Sequence, residues 1–243
     1  MATQNISRVN RGRFASTRQN LIFDADDTLW ENNIYFEAAF DQFCQYLAHS
    51  SMTPEEVRAV LDELEIANAK IYGYGSRKFA RNLAACYQHL AERDISDTDL
   101  EIVMDFAHKI LDKPIELIEG VAETVADLSS RHDLTLFTKG DPEEQRLKID
   151  RSGLACYFQH AAIVKEKDAP AYRELAQERG FHPDNTWMIG NSPKSDINPA
   201  LAIGLRAVYV PHSRTWSLEH EAVPENHPRL LRVDGIRDLT SYF

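Results

Sequence analysis

The fold is indicated most clearly by the stretch Asn20-Leu-Ile-Phe-Asp24-Ala-Asp26-Asp27-Thr28. Three apolar residues lead into a run of acids, which is typical of a buried strand that ends at a polar edge. In open α/β sheets, ligands bind outside the carboxyl ends of the strands. Two carboxylates at such an edge repel each other unless a cation or a proton neutralises one of them. The stretch therefore predicts a central strand with a charged site at its end.

Four further apolar runs predict strands of the same sheet, at 133–138, 160–164, 186–190 and 206–210. Helix signals lie between them, such as Pro142 at the start of one helical pattern and Gly153 at its end. Strands that alternate with helices indicate βαβ units. We therefore expect an α/β fold with a Rossmann-like, mostly parallel sheet.

The segment 31–116 is different, because it shows helical periodicity and no convincing strand. It predicts four helices, one of which starts at the capping box Thr53-Pro-Glu-Glu56. A normal connection between strands takes about 2–6 loop residues and one helix. We therefore expect residues 31–116 to form an inserted all-helical domain. The rest of the chain is expected to form an α/β core, residues 20–30 plus 117–243, and an N-terminal tail, residues 1–19.

The composition limits the partners. The 243 residues contain 27 Lys and Arg against 38 Asp and Glu, a net charge of −11. This acid excess argues against a surface for a nucleic acid polymer or an anionic membrane, whereas one local cation would still let the protein bind a small anion. The longest apolar runs are well short of the ~18 residues that span a bilayer.

Three scattered cysteines, Cys44, Cys86 and Cys156, form no metal-binding motif. They indicate a reducing compartment, and we expect a cytoplasmic protein. Arg8, Arg11, Arg13 and Arg18 precede Asp24, the first acid of the chain. Such a basic start is typical either of an organelle transit segment or of a solvated tail, and both interpretations stay open.

The other predicted strands also end in residues suited to phosphate. Thr138-Lys139-Gly140 offers a hydroxyl and backbone N–H groups at a strand-to-helix turn. Lys165-Glu166-Lys167 supplies lysines that could neutralise phosphate and aspartyl charge. Asn191 and Asp196 lie near the start of the helix that follows the fourth strand. Each signal is weak alone, but their joint order is specific.

This ordered set resembles the haloacid dehalogenase-like (HAD) hydrolase superfamily, whose motifs read Asp-x-Asp-x-Thr, then Thr, then Lys, then Gly-Asp-x₄-Asp. The resemblance implies that Asp24 is the nucleophile and Asp26 the general acid and base. It implies that Thr138 and Lys167 bind the transferring phosphate. Lys167 is preferred over Lys165 because it leads directly into the next helix. The insert lies where this superfamily places a helical C1 cap.

The resemblance also implies a Mg²⁺ cofactor, held by Asp24, the backbone carbonyl of Asp26 and the fourth motif. That motif has Asn191 where the family has Asp, so either Asn191 or Asp196 is the direct ligand. Four further residues are expected to contact the substrate, the last of them on a turn of the insert: Thr28, Lys139, Gly140 and Arg77.

The activity that we expect is a Mg²⁺-dependent phosphatase acting on a small phosphorylated metabolite through an aspartyl-phosphate. The dehalogenases of the superfamily lack an acid at the position of Asp26, and a phosphate ester needs a proton on its leaving oxygen whereas a halide does not. A phosphomutase or a 2-haloacid dehalogenase of the same superfamily is the alternative. Asn191 also leaves open a non-catalytic module that binds a phosphate ligand.

Overall fold

The computed structural model describes Phe14 and residues 17–243. Within these residues, six parallel strands form one sheet in the order β3-β2-β1-β4-β5-β6. The strands are β1 (Asn20–Phe23), β2 (Asp133–Lys139), β3 (His160–Val164), β4 (Thr186–Gly190), β5 (Arg206–Tyr209) and β6 (Leu230–Arg232). The predicted α/β fold with a Rossmann-like parallel sheet is confirmed. The sequence did not predict β6, which has only three residues and lies partly exposed at the edge.

The helices lie between these strands and in the inserted segment. They are α1 (Asn33–Leu47), α2 (Pro54–Tyr72), α3 (Ser76–Leu90), α4 (Asp97–His108), α5 (Val121–Ser129), α6 (Pro142–Arg151), α7 (Ala169–Arg179) and α8 (Asn198–Ala202). Short 3₁₀ turns cover Lys109–Asp112, Ala155–Tyr157, Ser217–Glu219 and Ile236–Ser241, and one π-helical turn covers Pro193–Ile197.

The central strand, β1, fixes where the site lies. Its last residue, Phe23, pairs with Leu136 of β2 on one side and with Ile189 of β4 on the other. β4 therefore ends one residue beyond β1, whereas β2 runs three residues beyond it, and the backbone N–H of Asp24 donates to the Ile189 carbonyl at 2.9 Å. The strand order reverses beside β1, because β2 lies on one side of it and β4 on the other. Such a switch point is where open α/β sheets bind ligands.

The described chain divides into two compact units. One contains the described residues up to Glu31, Ile115–Lys139 and Gln145–Phe243, and the other contains Asn32–Pro114 and Gly140–Glu144. The second unit thus begins one residue later and ends two residues earlier than the predicted insert, and it includes a short piece beyond β2. Glu31 and Glu116 stay with the sheet, where the Glu31 N–H donates to the Glu116 carbonyl at 2.9 Å.

The helical unit has its own apolar core, which includes the fully buried side chains of Phe43, Leu61 and Leu83. The predicted capping box at Thr53 is present, because its hydroxyl accepts from the Glu56 N–H at 3.3 Å and the Glu56 carboxylate accepts from the Thr53 N–H at 2.8 Å. This closure satisfies two backbone donors that the first turn of α2 leaves unpaired.

The start of α3 is bound by a side chain from elsewhere in the chain. Ser76 is the first residue of α3 and does not cap it, because its N–H and hydroxyl donate to the Glu144 carboxylate at 2.8 and 2.9 Å. A carboxylate at this position complements the positive end of the helix dipole. Glu144 is therefore unavailable to close a capping box on α6, where Asp141 Oδ1 accepts from the N–H groups of Glu143 and Glu144.

The predicted N-terminal tail gives way to packed structure before residue 20. Residues 1–13, 15 and 16, and with them most of the predicted transit segment or tail, lie outside the described residues. The Phe14 ring contacts Trp187 with a centroid distance of 4.8 Å, and Gln19 is buried. Arg18 forms a salt bridge of 2.6 Å with Asp133 at the start of β2. These contacts join the end of the predicted tail to the sheet.

No helix in Phe14 and 17–243 has the length and apolar character needed to cross a bilayer.

The buried carboxyl group of Glu65 is an unusual feature of α2. The residue is only 8 % exposed, and its Oε2 atom has no hydrogen-bond partner among the described residues. Burial raises the pKa of Glu65 to about 8, and the nearby Arg58 opposes this only partly, since Asp62 and Glu37 add negative charge. Glu65 is therefore protonated and neutral in the folded protein at pH 6.

We expect Glu65→Gln to remove a pH-dependent loss of stability. Above the pKa of about 4.5 in the unfolded chain, unfolding releases this proton, so the free energy of unfolding falls as pH rises toward the folded pKa of about 8. Between pH 5 and 8 the wild type should lose on the order of 3 kcal/mol more than the variant. Urea unfolding at several pH values measures this, with the exposed Glu63→Gln as control. Parallel pH curves for wild type and Glu65→Gln would contradict it.

Candidate active site

A buried ammonium between two carboxylates forms the centre of the site. Asp24 directly follows β1, Lys167 follows β3, and Asp196 lies on the π-helical turn after β4. Lys167 Nζ lies 2.6 Å from Asp24 Oδ1 and also contacts Asp196 Oδ1. Lys167 is 2 % exposed and Asp196 is fully buried. The structure thus brings together three of the residues that the sequence selected.

The electrostatics of this triad leave it short of positive charge. Burial and the charge of Asp24 raise the pKa of Asp196, and the Lys167 ammonium opposes this shift. Burial alone would lower the pKa of Lys167, but the carboxylates of Asp196 and Asp24 raise it overall. With both acids ionised, two negative charges would face one positive charge, and the side chains of Lys167 and Asp196 are shielded from water. Such a group is stabilised by a further cation.

Thr28 and Asn191 complete this side of the site. The Thr28 hydroxyl lies 2.9 Å from Asp24 Oδ2 and 3.1 Å from Asn191 Oδ1, so its single proton serves these two acceptors. The Asn191 N–H donates to Thr28 Oγ1 at 3.1 Å, and its side-chain amide donates to Thr215 at 2.8 Å. The predicted substrate residue Thr28 therefore contacts Asp24, the predicted nucleophile, in this structure.

Gly190 allows the close approach of Asp196. A Cβ atom on Gly190 would lie 2.2 Å from Asp196 Oδ2, where no side chain fits. The same Oδ2 accepts from the Ser192 N–H at 2.8 Å. Pro193–Ile197 forms a π-helical turn, a distortion that is frequent at functional sites. This turn and the glycine together bring the Asp196 carboxylate back to the end of β4.

Asp26 lies in a separate set of contacts. Its Oδ1 accepts from the Trp30 indole N–H at 2.7 Å, and its Oδ2 accepts from the Gln145 amide at 3.0 Å. Lys148 Nζ is within 2.7 Å of both carboxylate oxygens. Asp27, the next residue, has a φ of 59°, a left-handed conformation that turns the chain sharply between Asp26 and Thr28. Three donors thus fix the position of the Asp26 carboxylate.

Sequence reasoning missed Gln145 and Lys148, although both contact predicted site residues. The Gln145 amide also donates to Thr138 Oγ1 at 2.6 Å, so it joins the predicted phosphate-binding hydroxyl to the predicted general acid. Both residues lie on α6, which starts next to the second motif. Their spacing of one helical turn places them on one face of that helix. This spacing was the signal that could have found them.

The other predicted substrate residues are placed differently. Lys139 Nζ lies 2.6 Å from Glu219 Oε1 and 2.9 Å from Ser195 Oγ, so buried groups of the protein engage its ammonium. Gly140 directly follows β2 and has a φ of 147°. Arg77 belongs to the helical unit, where its Nη1 lies 3.4 Å from Glu143 Oε2. The roles of all three in substrate binding stay predictions.

The residues at the end of β1 and β4 fit a Mg²⁺ ion. Mg²⁺ prefers hard oxygen ligands, commonly one or two carboxylates with water and phosphate oxygens. Asp24 and Asp196 offer carboxylates and Asn191 offers an amide oxygen. The Asp26 carboxylate is engaged by Lys148, so Asp26 would contribute through its backbone carbonyl.

Asp27, Glu31 and His212 form a second group of ionisable side chains, with possible ligand atoms within 4.8 Å of one another. His212 Nε2 lies 3.4 Å from Glu31, whereas Nδ1 faces Asp27 at 4.0 Å and accepts from the Arg214 N–H at 3.3 Å. The two ring nitrogens face different carboxylates, so the His212 imidazole lies between two acids.

Comparison with known proteins identifies the family of this chain. A family model described as a haloacid dehalogenase-like hydrolase matches residues 19–204. A solved structure of a haloacid dehalogenase-like family hydrolase from Xanthomonas campestris is 31 % identical, with a TM-score of 0.80 over 92 % of this chain and 89 % of that one. The chain therefore belongs to the haloacid dehalogenase-like hydrolase family, a class of hydrolases.

Two curated relatives are phosphatases. A phosphoserine phosphatase of Thermus thermophilus is 31 % identical over 44 % of this chain and 42 % of its own length. A glyceraldehyde 3-phosphate phosphatase of Pyrococcus furiosus is 24 % identical over 83 % of this chain and 84 % of its own length. The chain thus spans less than half the length of the first of these relatives.

We expect Gly190→Ala to displace the Asp196 carboxylate and weaken the triad. The new methyl group would overlap Asp196 Oδ2, and such overpacking costs about 1–3 kcal/mol. Urea unfolding should show this loss in the free energy of unfolding. Gly235→Ala is the matched control, because a Cβ there meets nothing within 4 Å. Equal stability of the two alanine variants would show that Gly190 is not needed for the approach of Asp196.

Proposed function

We propose that this chain is a Mg²⁺-dependent phosphatase that hydrolyses a small phosphorylated metabolite through a phosphorylated Asp24. The contact of the buried Lys167 ammonium with both Asp24 and Asp196 is the observation that carries the proposal. Phosphoryl transfer depends mainly on positioning and on stabilising negative charge, and this arrangement provides for both. The phosphatase activity of the two curated relatives supports the substrate class.

In the first half-reaction, an Asp24 carboxylate oxygen attacks phosphorus and the ester oxygen leaves. Lys167 holds the attacking carboxylate through Oδ1, and Thr28 holds its Oδ2. Lys167 and the Thr138 hydroxyl offset the charge on the phosphoryl oxygens. Fixing the carboxylate at both oxygens lowers the entropic cost of reaching the in-line geometry.

Asp26 moves the proton in both half-reactions. It gives a proton to the leaving ester oxygen, and its carboxylate then takes a proton from the water that attacks the phosphoryl group on Asp24. The ion pair with Lys148 represents the carboxylate form, which the second half-reaction needs. Trp30 and Gln145 fix the direction of the carboxylate. The first half-reaction therefore needs Asp26 to gain a proton and weaken its pairing with Lys148.

Asp24, the backbone carbonyl of Asp26 and either Asn191 or Asp196 would hold the Mg²⁺. When bound, the ion supplies positive charge to the transferring phosphoryl group. We also propose a cytoplasmic location, which the three free cysteines, Cys44, Cys86 and Cys156, support.

Hydrolysis assays with Asp24→Asn test the proposal. The wild type should release phosphate from 4-nitrophenyl phosphate and from at least one member of a metabolite panel, and only with Mg²⁺ present. Asp24→Asn should reduce turnover by about 10⁴-fold or more, since the amide cannot act as the nucleophile. Asp150→Asn, at an exposed position of α6, is the control. Unchanged turnover in Asp24→Asn, or chloride release from 2-chloropropionate without any phosphatase activity, would sink the proposal.

Mg²⁺ binding by Asn191→Asp tests the ligand assignment. If the Asn191 side-chain oxygen is a ligand, the added negative charge should tighten Mg²⁺ binding about tenfold, equivalent to ~1.4 kcal/mol. Calorimetry without substrate measures this. Asn185→Asp, which makes the same change next to the other end of β4, should leave the affinity unchanged. Equal affinity in wild type and Asn191→Asp would leave Asp196 as the ligand from this motif.

A further inference from the structure

Glu219 is a buried acid that none of the predicted motifs includes. It ends the 3₁₀ turn Ser217–Glu219, which follows β5, and it is 6 % exposed. Its Oε1 accepts from Lys139 Nζ at 2.6 Å. Its Oε2 accepts from the Ser192 hydroxyl at 2.6 Å and from the Ser195 hydroxyl. A single carboxylate thus joins the end of β2 to the loop after β4.

The two serines belong to the turn that carries Asp196. The Ser195 N–H donates to Ser192 Oγ at 2.9 Å, and the Ser192 N–H donates to Asp196 Oδ2 at 2.8 Å. Asp196 in turn contacts Lys167, which contacts Asp24. An unbroken series of contacts therefore leads from Glu219 to the nucleophile.

The pairing of Glu219 with Lys139 keeps both groups charged in a buried place. Burial alone would raise the pKa of Glu219, but the Lys139 ammonium and the two serine hydroxyls lower it. Burial alone would lower the pKa of Lys139, and Glu219 and Glu166 raise it. Removing one member of a buried pair leaves an uncompensated charge, which is strongly unfavourable.

We infer that Glu219 is a positioning residue for the proposed reaction: it fixes the Ser192–Asp196 turn so that Asp196 is presented to Lys167 and to a divalent cation. This inference rests on the proposed function. Glu219 acts through Ser192 and Ser195, which explains why a residue beyond the matched family segment contacts the site. Partners of metal ligands commonly change metal affinity or activity by about 10–100-fold when they are replaced.

The test compares Glu219→Gln and Ser192→Ala with Glu225→Gln, an exposed acid of the same segment. Calorimetry without substrate measures Mg²⁺ affinity, steady-state assays with 4-nitrophenyl phosphate measure kcat and KM, and circular dichroism checks folding. We expect both variants of the network to bind Mg²⁺ about tenfold more weakly and to lose kcat more than KM. Glu225→Gln should match the wild type.

The outcomes separate the two proposals. Folded Glu219→Gln with wild-type Mg²⁺ affinity and kcat would overturn the positioning role, since a purely structural residue would change only stability. If Glu219→Gln does not fold, Ser192→Ala decides, because it keeps the Lys139–Glu219 pair and removes one link to the turn. Wild-type affinity in folded Ser192→Ala would overturn the inference. A wild-type protein that neither binds Mg²⁺ nor hydrolyses the ester would overturn the proposed function, and the inference with it.

Discussion

The Lys167 ammonium, buried against the carboxylates of Asp24 and Asp196, is the interaction on which the site depends. Each charged group would be costly to bury alone, and the three are tolerable only together. Their meeting requires the ends of β1, β3 and β4 to lie at one edge of the sheet, which the pairing of β1 with β2 and β4 and of β2 with β3 provides. The parallel sheet thus determines where the charges lie, and the charges determine what the site can bind.

The remaining contacts of the site keep this triad in place. The Thr28 hydroxyl donates to Asp24 Oδ2, and Gly190 at the end of β4 leaves room for Asp196. On the other side, the Gln145 amide connects Thr138 with Asp26. Among the described residues, the carboxylates of Asp24 and Asp26 therefore share no direct hydrogen-bond partner. This separation suits a reaction in which one carboxylate must stay ionised while the other gains and loses a proton.

The sequence predicted what depends on local patterns. The five apolar runs are strands, and the capping box at Thr53 is present, because hydrophobic burial and helix capping act over a few residues. The edge strand β6 has too few apolar residues to give such a pattern. Ser76 meets Glu144 at a separation of 68 residues, so the local rule for helix caps does not apply to it.

The same distinction between local patterns and tertiary packing applies to the residues of the candidate site. Asp24, Lys167 and Asp196 could be predicted because the ends of parallel strands converge, and the structure brings them into contact. Lys139 was predicted to meet substrate from its position alone, yet its ammonium is engaged by Glu219, which is 80 residues further along the chain. Gln145, Lys148 and Glu219 were missed because their partners are set by tertiary packing.

Chemical trapping of the covalent intermediate tests whether Asp24 is the residue that becomes phosphorylated. The protein would be mixed with Mg²⁺ and a hydrolysed phosphate ester, quenched during turnover and reduced with borohydride, which converts an acyl-phosphate to an alcohol. Mass spectrometry of the peptides then locates the reduced residue. If Asp24 is phosphorylated, we expect homoserine at position 24, which should depend on the ester and be absent from Asp24→Asn. Homoserine at another acid, or none in protein quenched while the ester is being hydrolysed, would contradict it.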